Sequence, residues 1–236
     1  MTTPQENPLG DKVSNTSPAP SPSQTITLTG HYVTLVPVSP THAPSLFPLV
    51  AGPSNLRLWD YMPFEHCPPD LPTFTALLSK RAASTDPVFY TILKHSPNAP
   101  PTPVGMSSYL RIDGANRVIE VGHLMFSPVL QRSPASTEAM YLMARYAFET
   151  LGYRRYEWKC HSLNAPSNRA AKRLGFTYEG TFRNALIDKW GRNRDTCWYS
   201  ILDVEWEGRK RALEAWLDEG NFDGEGRQRK KLEEFR

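Results

Sequence analysis

Across 236 residues the chain carries 27 basic and 24 acidic side chains, a net charge of +3, with 39% hydrophobic and 11% aromatic residues. That composition suits one domain with extensions, or at most two small ones, and its charge balance is too even to mark a nucleic-acid binder. No apolar run approaches the roughly 20 residues needed to span a bilayer, the N-terminus lacks the pattern of a secretory signal, and Cys67, Cys160 and Cys197 are scattered without CxxC spacing, which fits reduced thiols, no metal site and a cytoplasmic setting.

Residues 1–25 are rich in Pro, Ser, Thr and Asn (NTSPAPSPSQT). With little to bury against its ordering entropy, this segment reads as a disordered tail. The folded domain is expected over 26–206, opening with a strand at Tyr32–Val36. A helical region broken by prolines follows, then the β-branched and aromatic run Val88–Leu93 and a Pro/Asn turn over 95–103. Val104–Arg111 and Arg117–Phe126 read as strands joined by the Asp113-Gly114 turn. Over 135–151, Ala139, Met140, Met143, Ala147 and Leu151 recur at helical spacing, and Gly152 stands at the natural stop. Residues 154–161 alternate again, with Tyr156, Trp158 and Cys160 on one face. A second helix over 165–174 is ended by Gly175, and strands over 176–182 and 196–203 flank the turn-rich DKWGRNRD. From Trp206 a charged helical stretch bears the stripe Leu213, Trp216 and Leu217; residues 207–236 read as a C-terminal helical extension. Strands interspersed with helices predict a single α/β (α+β) domain with a mixed sheet.

The informative segment runs from Glu120 to Gly180. Its loop, FSPVLQRSPAS at 126–136, lies between a strand and a helix start, where unpaired N–H groups and the helix dipole make an anion site. Ser133-Pro134 is a good generic N-cap and N1 pair. Many α/β proteins have such a turn, so alone it fixes no function.

The loop resembles the acetyl-CoA loop of the GNAT superfamily, Gln/Arg-x-x-Gly-x-Gly/Ala after a strand ending in V-x-P. Gln131 holds the first position, and Phe126-Ser127-Pro128 sits where V-x-P belongs. Further on, Asn164-Ala165-Pro166-Ser167 and Leu174-Gly175-Phe176-Thr177-Tyr178-Glu179-Gly180 resemble the N-x-x-S…L-G-F-x-x-E-G signature of the Rim-type branch, which acetylates ribosomal-protein N-termini, and of its small-molecule relatives. The Asp195…Tyr199–Leu202 strand extends a likeness that covers roughly 26–206. It implies a mostly antiparallel sheet with a central splayed strand pair, acetyl-CoA as co-substrate, no metal, and an N-acetyltransferase activity on a primary amine. The expected acceptor is a small molecule, with a protein N-terminus or lysine as the alternative; no nucleic acid or membrane partner is implied, and the chain is expected as monomer or homodimer.

The same likeness places the cofactor against the main chain of Met125 and Phe126, against Gln131, Arg132, Ser133, Ala135, Ser136 and Thr137, and against Asn164 and Ser167. The loop departs from the pattern at two places: Pro134 stands at the first Gly position and Ser136 at the Gly/Ala position. Proline removes one N–H. The hydroxyls of Ser133, Ser136 or Thr137 are expected to replace that donor, with charge added by Arg132. A poorly binding CoA or scaffold module is the other class this departure leaves open.

Acetyl transfer needs a polarised carbonyl, a deprotonated amine and a proton for the leaving thiolate. Ser167 shares a helical stripe with Ala170, Ala171 and Leu174, so its hydroxyl is expected to face inward; the family's matching Ser lies near the CoA sulfur, which makes Ser167 the candidate acid. The alternative is a serine bonded back to its own helix. Glu120 lies eleven residues before Gln131, the spacing of the catalytic glutamate in the histone-acetylating branch. A half-buried carboxylate there would have a raised pKa suited to base work, or would simply pair with a neighbouring Lys or Arg. Glu157 and His123 stand behind it as bases; Glu157 shares a face with Lys159 and His161 and reads as part of a surface ion-pair ladder. The aromatic segment around Trp59, Tyr61 and Phe64 resembles the one many relatives fold over the acceptor, although core packing would serve its side chains as well.

Overall fold

The computed structural model describes residues 7 and 9–236, so the first residues of the expected tail lie outside the described part. Eight strands form one sheet in the order β1-β2-β3-β4-β5-β6-β8-β7. They are β1 (Leu28–Thr29), β2 (Val33–Pro37), β3 (Val88–Ser96), β4 (Ala99–Asp113), β5 (Val118–Phe126), β6 (Arg155–His161), β7 (Thr177–Ile187) and β8 (Asn193–Leu202). Every neighbouring pair is antiparallel except β5 with β6. A parallel neighbour needs a long crossover, and here it is α3 (Pro134–Arg145) with the π-helical turn Tyr146–Thr150. Gly152 ends that crossover at φ 70°, a left-handed conformation that glycine adopts without a Cβ penalty.

Alternation along the strands sorts the side chains onto two faces. Ile119 and Val121 of β5, Tyr156, Trp158 and Cys160 of β6, and Cys197, Tyr199 and Ile201 of β8 join the main core. That core is closed by α3, by Ala171 of α4 (Ala165–Arg173) and by Trp206, Leu213 and Trp216 of α5 (Asp203–Leu217). The opposite face of β3, β4 and β5 presents Phe89, Met106 and Met125 to a second core built from α1 (Ala43–Val50), α2 (Leu71–Ala82) and Trp59. Farther along that face, Arg155, Glu157 and Lys159 of β6 and Glu179 of β7 form ion pairs where the second core has apolar side chains. No helix is long and apolar enough to cross a membrane among the described residues.

Three boundaries differ from the sequence reading. β4 begins at Ala99, not Val104, because its proline-rich start pairs with the end of β3 at the exposed end of the hairpin, through register shifts that spare the missing N–H groups. Residues from Asn15 onward are not a free tail: Ala19 is buried and donates its N–H to Gly114 O at 2.9 Å, while Tyr90 and Tyr153 donate their hydroxyls to the carbonyls of Ser23 and Pro20. Composition hides this, since the apolar contribution is one alanine and a proline and the rest is main-chain hydrogen bonding. Finally, α5 is no extension. Its stripe of Trp206, Leu213 and Trp216 fills the main core, and Tyr141 of α3 donates to Glu214 of α5 at 2.6 Å.

Candidate active site

The site begins where the sheet opens. β5 and β6 pair only from Val118↔Arg155 to Val121↔Trp158; beyond that the strands part. The cause lies in β5, where His123 adopts φ 48° and the register against β4 slips between Met106 and Ser108. A bulge bends its strand away from the neighbour. Residues 122–126 thus keep β4 on one side and have no strand on the other.

At the mouth of this opening lies the N-terminus of α3. Ser133 caps the helix with Pro134 at N1, as its sequence dictates. The capping network uses two of the hydroxyl donors: Ser133 Oγ donates to Leu130 O at 2.6 Å and Ser136 Oγ donates to Ser133 O at 2.7 Å, while Thr137 Oγ1 accepts from Arg173 at 3.0 Å. The expected replacement of Pro134's lost donor is therefore corrected for Ser133 and Ser136, whose O–H groups donate within the loop; Thr137, which accepts from Arg173, keeps its own O–H to give. The other remaining donors are in the main chain: among the described residues the N–H groups of Arg132, Ser133 and Ala135 find no intramolecular acceptor. Arg132 sits at φ 56° with its side chain exposed. Gln131 folds back to donate to Phe126 O at 2.8 Å. The Met125 side chain is buried in the second core, so only its main chain is left for a ligand.

On the main-core face, α4 brings Ser167 down onto β6. Asn164 caps α4 by accepting the Ser167 N–H at 3.1 Å. The serine hydroxyl faces inward, as its stripe predicts, and accepts a hydrogen bond from Trp158 Nε1 at 3.0 Å. Asn168, unmarked in the sequence reading, ties the loop down: its amide donates to the carbonyls of His161, Ser162 and Asn164, and its oxygen accepts from Tyr199 at 2.6 Å.

Glu120 lies on the other face, opposite Glu157 in the parallel register. It is buried, with Lys159 Nζ 2.8 Å from one carboxylate oxygen and Arg111 Nε 3.5 Å away. Both cations approach the same oxygen, so Glu120 is held as a buried ion pair with Lys159. Burial pushes its pKa up, against the pull of Lys159 and Arg111. Glu157 is buried too: it accepts from Lys159 and Arg155, each at 2.6 Å. The ladder expected at the surface is thus an interior one, with Lys159 seated 3.8 Å from the centre of the Trp198 ring. His123 bonds Ser108 Oγ at 2.9 Å and packs on Phe89; burial, with Arg81 nearby, holds its pKa down to about 4. It is a neutral structural imidazole at pH 7.

The aromatic segment divides. Trp59 is 1% exposed and donates to Val50 O at 2.7 Å, so it belongs to the core, and its expected substrate contact is corrected. Tyr61 reaches across to the end of β6, packing on His161 and donating to Leu163 O at 3.1 Å. Phe64 is 72% exposed. This segment is also held by the β7–β8 hairpin, through Lys189 to the carbonyls of Trp59 and Glu65 and through Arg194 to Tyr61 O at 3.2 Å. Lys189 and Arg194 gave no local signal, because each acts on a segment far away in the chain.

A sheet opened between a parallel pair, with a capped helix N-terminus at the opening, defines an acyltransferase of the split-sheet kind. The chain belongs to the GNAT family: the family described as acetyltransferase (GNAT) domain matches residues 33–177. A solved GCN5-related N-acetyltransferase from Brucella melitensis is 42% identical, covering 94% of this chain and 99% of its own, at a TM-score of 0.88. A GNAT-family structure from Chromobacterium violaceum is 35% identical over 87% of this chain and all of its own (100%), at a TM-score of 0.75. The Bacillus subtilis protein named "Putative ribosomal N-acetyltransferase YdaF" is 33% identical over 106 residues, which are 45% of this chain and 57% of that protein.

Proposed function

We propose that the protein transfers the acetyl group of acetyl-CoA to a primary amine, with cofactor and acceptor meeting in the opening between β5 and β6. The observation that carries this reading is the placement of Ser167 and Glu120 on opposite faces of the sheet beside that opening. The pyrophosphate would lie on the free amides of Arg132, Ser133 and Ala135, and the pantetheine arm along the unpaired main chain of 122–126. The thioester then sits between the two faces. Glu120 takes the amine proton: its burial and its pKa, raised despite the Lys159 ion pair, suit that work. Ser167 gives a proton to the departing sulfur.

Segment 59–66, tied to β6 and to the β7–β8 hairpin, favours an acceptor that enters end-on, such as a small amine. A protein N-terminus also enters end-on, and the name of the Bacillus relative favours it. A panel of spermidine, tyramine and short peptides beginning with Ser or Ala, read by thiol release from acetyl-CoA, separates the two. Turnover confined to peptides overturns the small-molecule reading; no turnover above background with any of them overturns the transferase reading of this site.

A further inference from the structure

Trp158 lies beneath the candidate acid and has no counterpart in the motifs that mark the site. Its side chain is 4% exposed and packs edge-on against Phe176, with ring centres 5.5 Å apart. The indole therefore cannot turn away. An indole nitrogen is a donor only, so the 3.0 Å contact between Trp158 Nε1 and Ser167 Oγ has one polarity: the serine oxygen accepts. Among the described residues Ser167 Oγ makes no hydrogen bond to a carbonyl of its own helix; its other side-chain neighbour is the Cys160 thiol, with which it shares a hydrogen bond. Its hydrogen therefore faces no acceptor stronger than a neutral thiol.

We infer that Trp158 is a positioning residue for the transfer reaction, holding Ser167 with its O–H free to face the cofactor sulfur and stabilising the oxygen as that proton leaves. The inference rests on the proposed role of Ser167. A donor into the oxygen makes a hydroxyl a better acid because it favours the negative form, and in a water-poor interior the effect is larger than in solution. Ser167 is also the third residue of α4 after the Asn164 cap, where the positive end of the helix acts in the same sense. Cys160, two residues along the same pleat, adds no charge: burial pushes its thiol up to about 11, and it stays neutral.

The step balances. The amine nitrogen forms the C–N bond and its proton passes to Glu120; the C–S bond breaks and the sulfur's electron pair takes the Ser167 proton. Glu120 afterwards gives its proton to water, and the serine oxygen regains one from water, so amine and thioester become amide and thiol with no other reactant.

Trp158→Phe deletes the donor and also leaves a small cavity, so the melting temperature is read beside the kinetics. With the fastest amine of the panel above, its kcat should fall about tenfold, with the KM for acetyl-CoA unchanged. Acting through Ser167, it should cost nothing further in the Ser167→Ala background. An unchanged kcat overturns the inference, and so does a loss of equal size in both backgrounds, which would mean a general packing defect. Should Trp158→Phe not fold, 3-benzothienylalanine at position 158, which replaces the N–H by sulfur in the same ring shape, makes the same test. Unchanged kcat in Ser167→Ala alone removes the acid assignment and this inference together, whereas a loss in Ser167→Ala without one in Trp158→Phe removes the inference only.

Discussion

In the proposed mechanism Ser167 and Glu120 carry different proton transfers, so their variants should fail differently. Ser167→Ala should lower kcat by at least about tenfold with little change in the KM for acetyl-CoA, because its contact matters in the transition state. Glu120→Gln should lose rate at neutral pH and recover part of it as pH rises and free amine accumulates. In the wild type, burial raises the Glu120 pKa, so the acid limb of kcat/KM should lie above the ordinary glutamate range; a limb that survives in Glu120→Gln would reassign the base. His123 makes a separate claim about stability. Its folded pKa of about 4 lies below the ordinary histidine value of roughly 6.5, so over that window the unfolded chain binds a proton that the folded one refuses. Stability is therefore full above about 6.5 and lost as pH falls towards 4. The melting temperature should fall across this range and fall less in His123→Gln. Of these groups, sequence singled out Ser167 and Glu120 by motif and spacing. Trp158 and Lys159 showed only as members of the two faces of their strand; their contacts to Ser167 and Glu120 stayed hidden, since a cross-strand or helix-to-strand contact leaves no local pattern.

At the level of elements, the segment from Asn15 to Gln24 acts as a strap. Its main chain satisfies the hydroxyls of Tyr90 and Tyr153 and donates to that of Tyr146. Deleting residues 1–24 should destabilise the protein by about 2–4 kcal/mol, at roughly 1 kcal/mol per hydrogen bond; an unchanged melting temperature would show that water replaces the strap without cost. Helix α3 carries a second test. Pro134→Ala restores an N–H at the mouth of the opening, so the Kd for acetyl-CoA should tighten, by calorimetry, while the cap at Ser133 persists. Most elements were legible: strong periodicity marked α3, β5 and β6, and Gly152 and Gly175 marked the helix ends. Two were misjudged for one reason. The strap is held through its backbone and α5 through a few tryptophans, so polar composition concealed how much each is buried.

For the whole molecule, acetyl-CoA at about 100 times its Kd should add about 2.7 kcal/mol of stability, or roughly 5–10 °C in melting temperature for a chain of this size. No shift at millimolar acetyl-CoA would remove the proposed cofactor. The split sheet itself was expected only through resemblance, because neither the His123 bulge nor the four-residue limit of the β5–β6 pairing shows in hydrophobic pattern. That split gives the protein an edge in its own middle. Residues 122–126 belong to a central strand, flanked by buried cores on both faces, yet one side of their backbone has no neighbour in the sheet. Amides facing the gap should therefore exchange with deuterium on the timescale of a loop, while those facing β4 exchange as slowly as the core. If the pantetheine arm lies in the gap, it serves as the absent strand, and acetyl-CoA should slow exchange there more than anywhere else in the sheet.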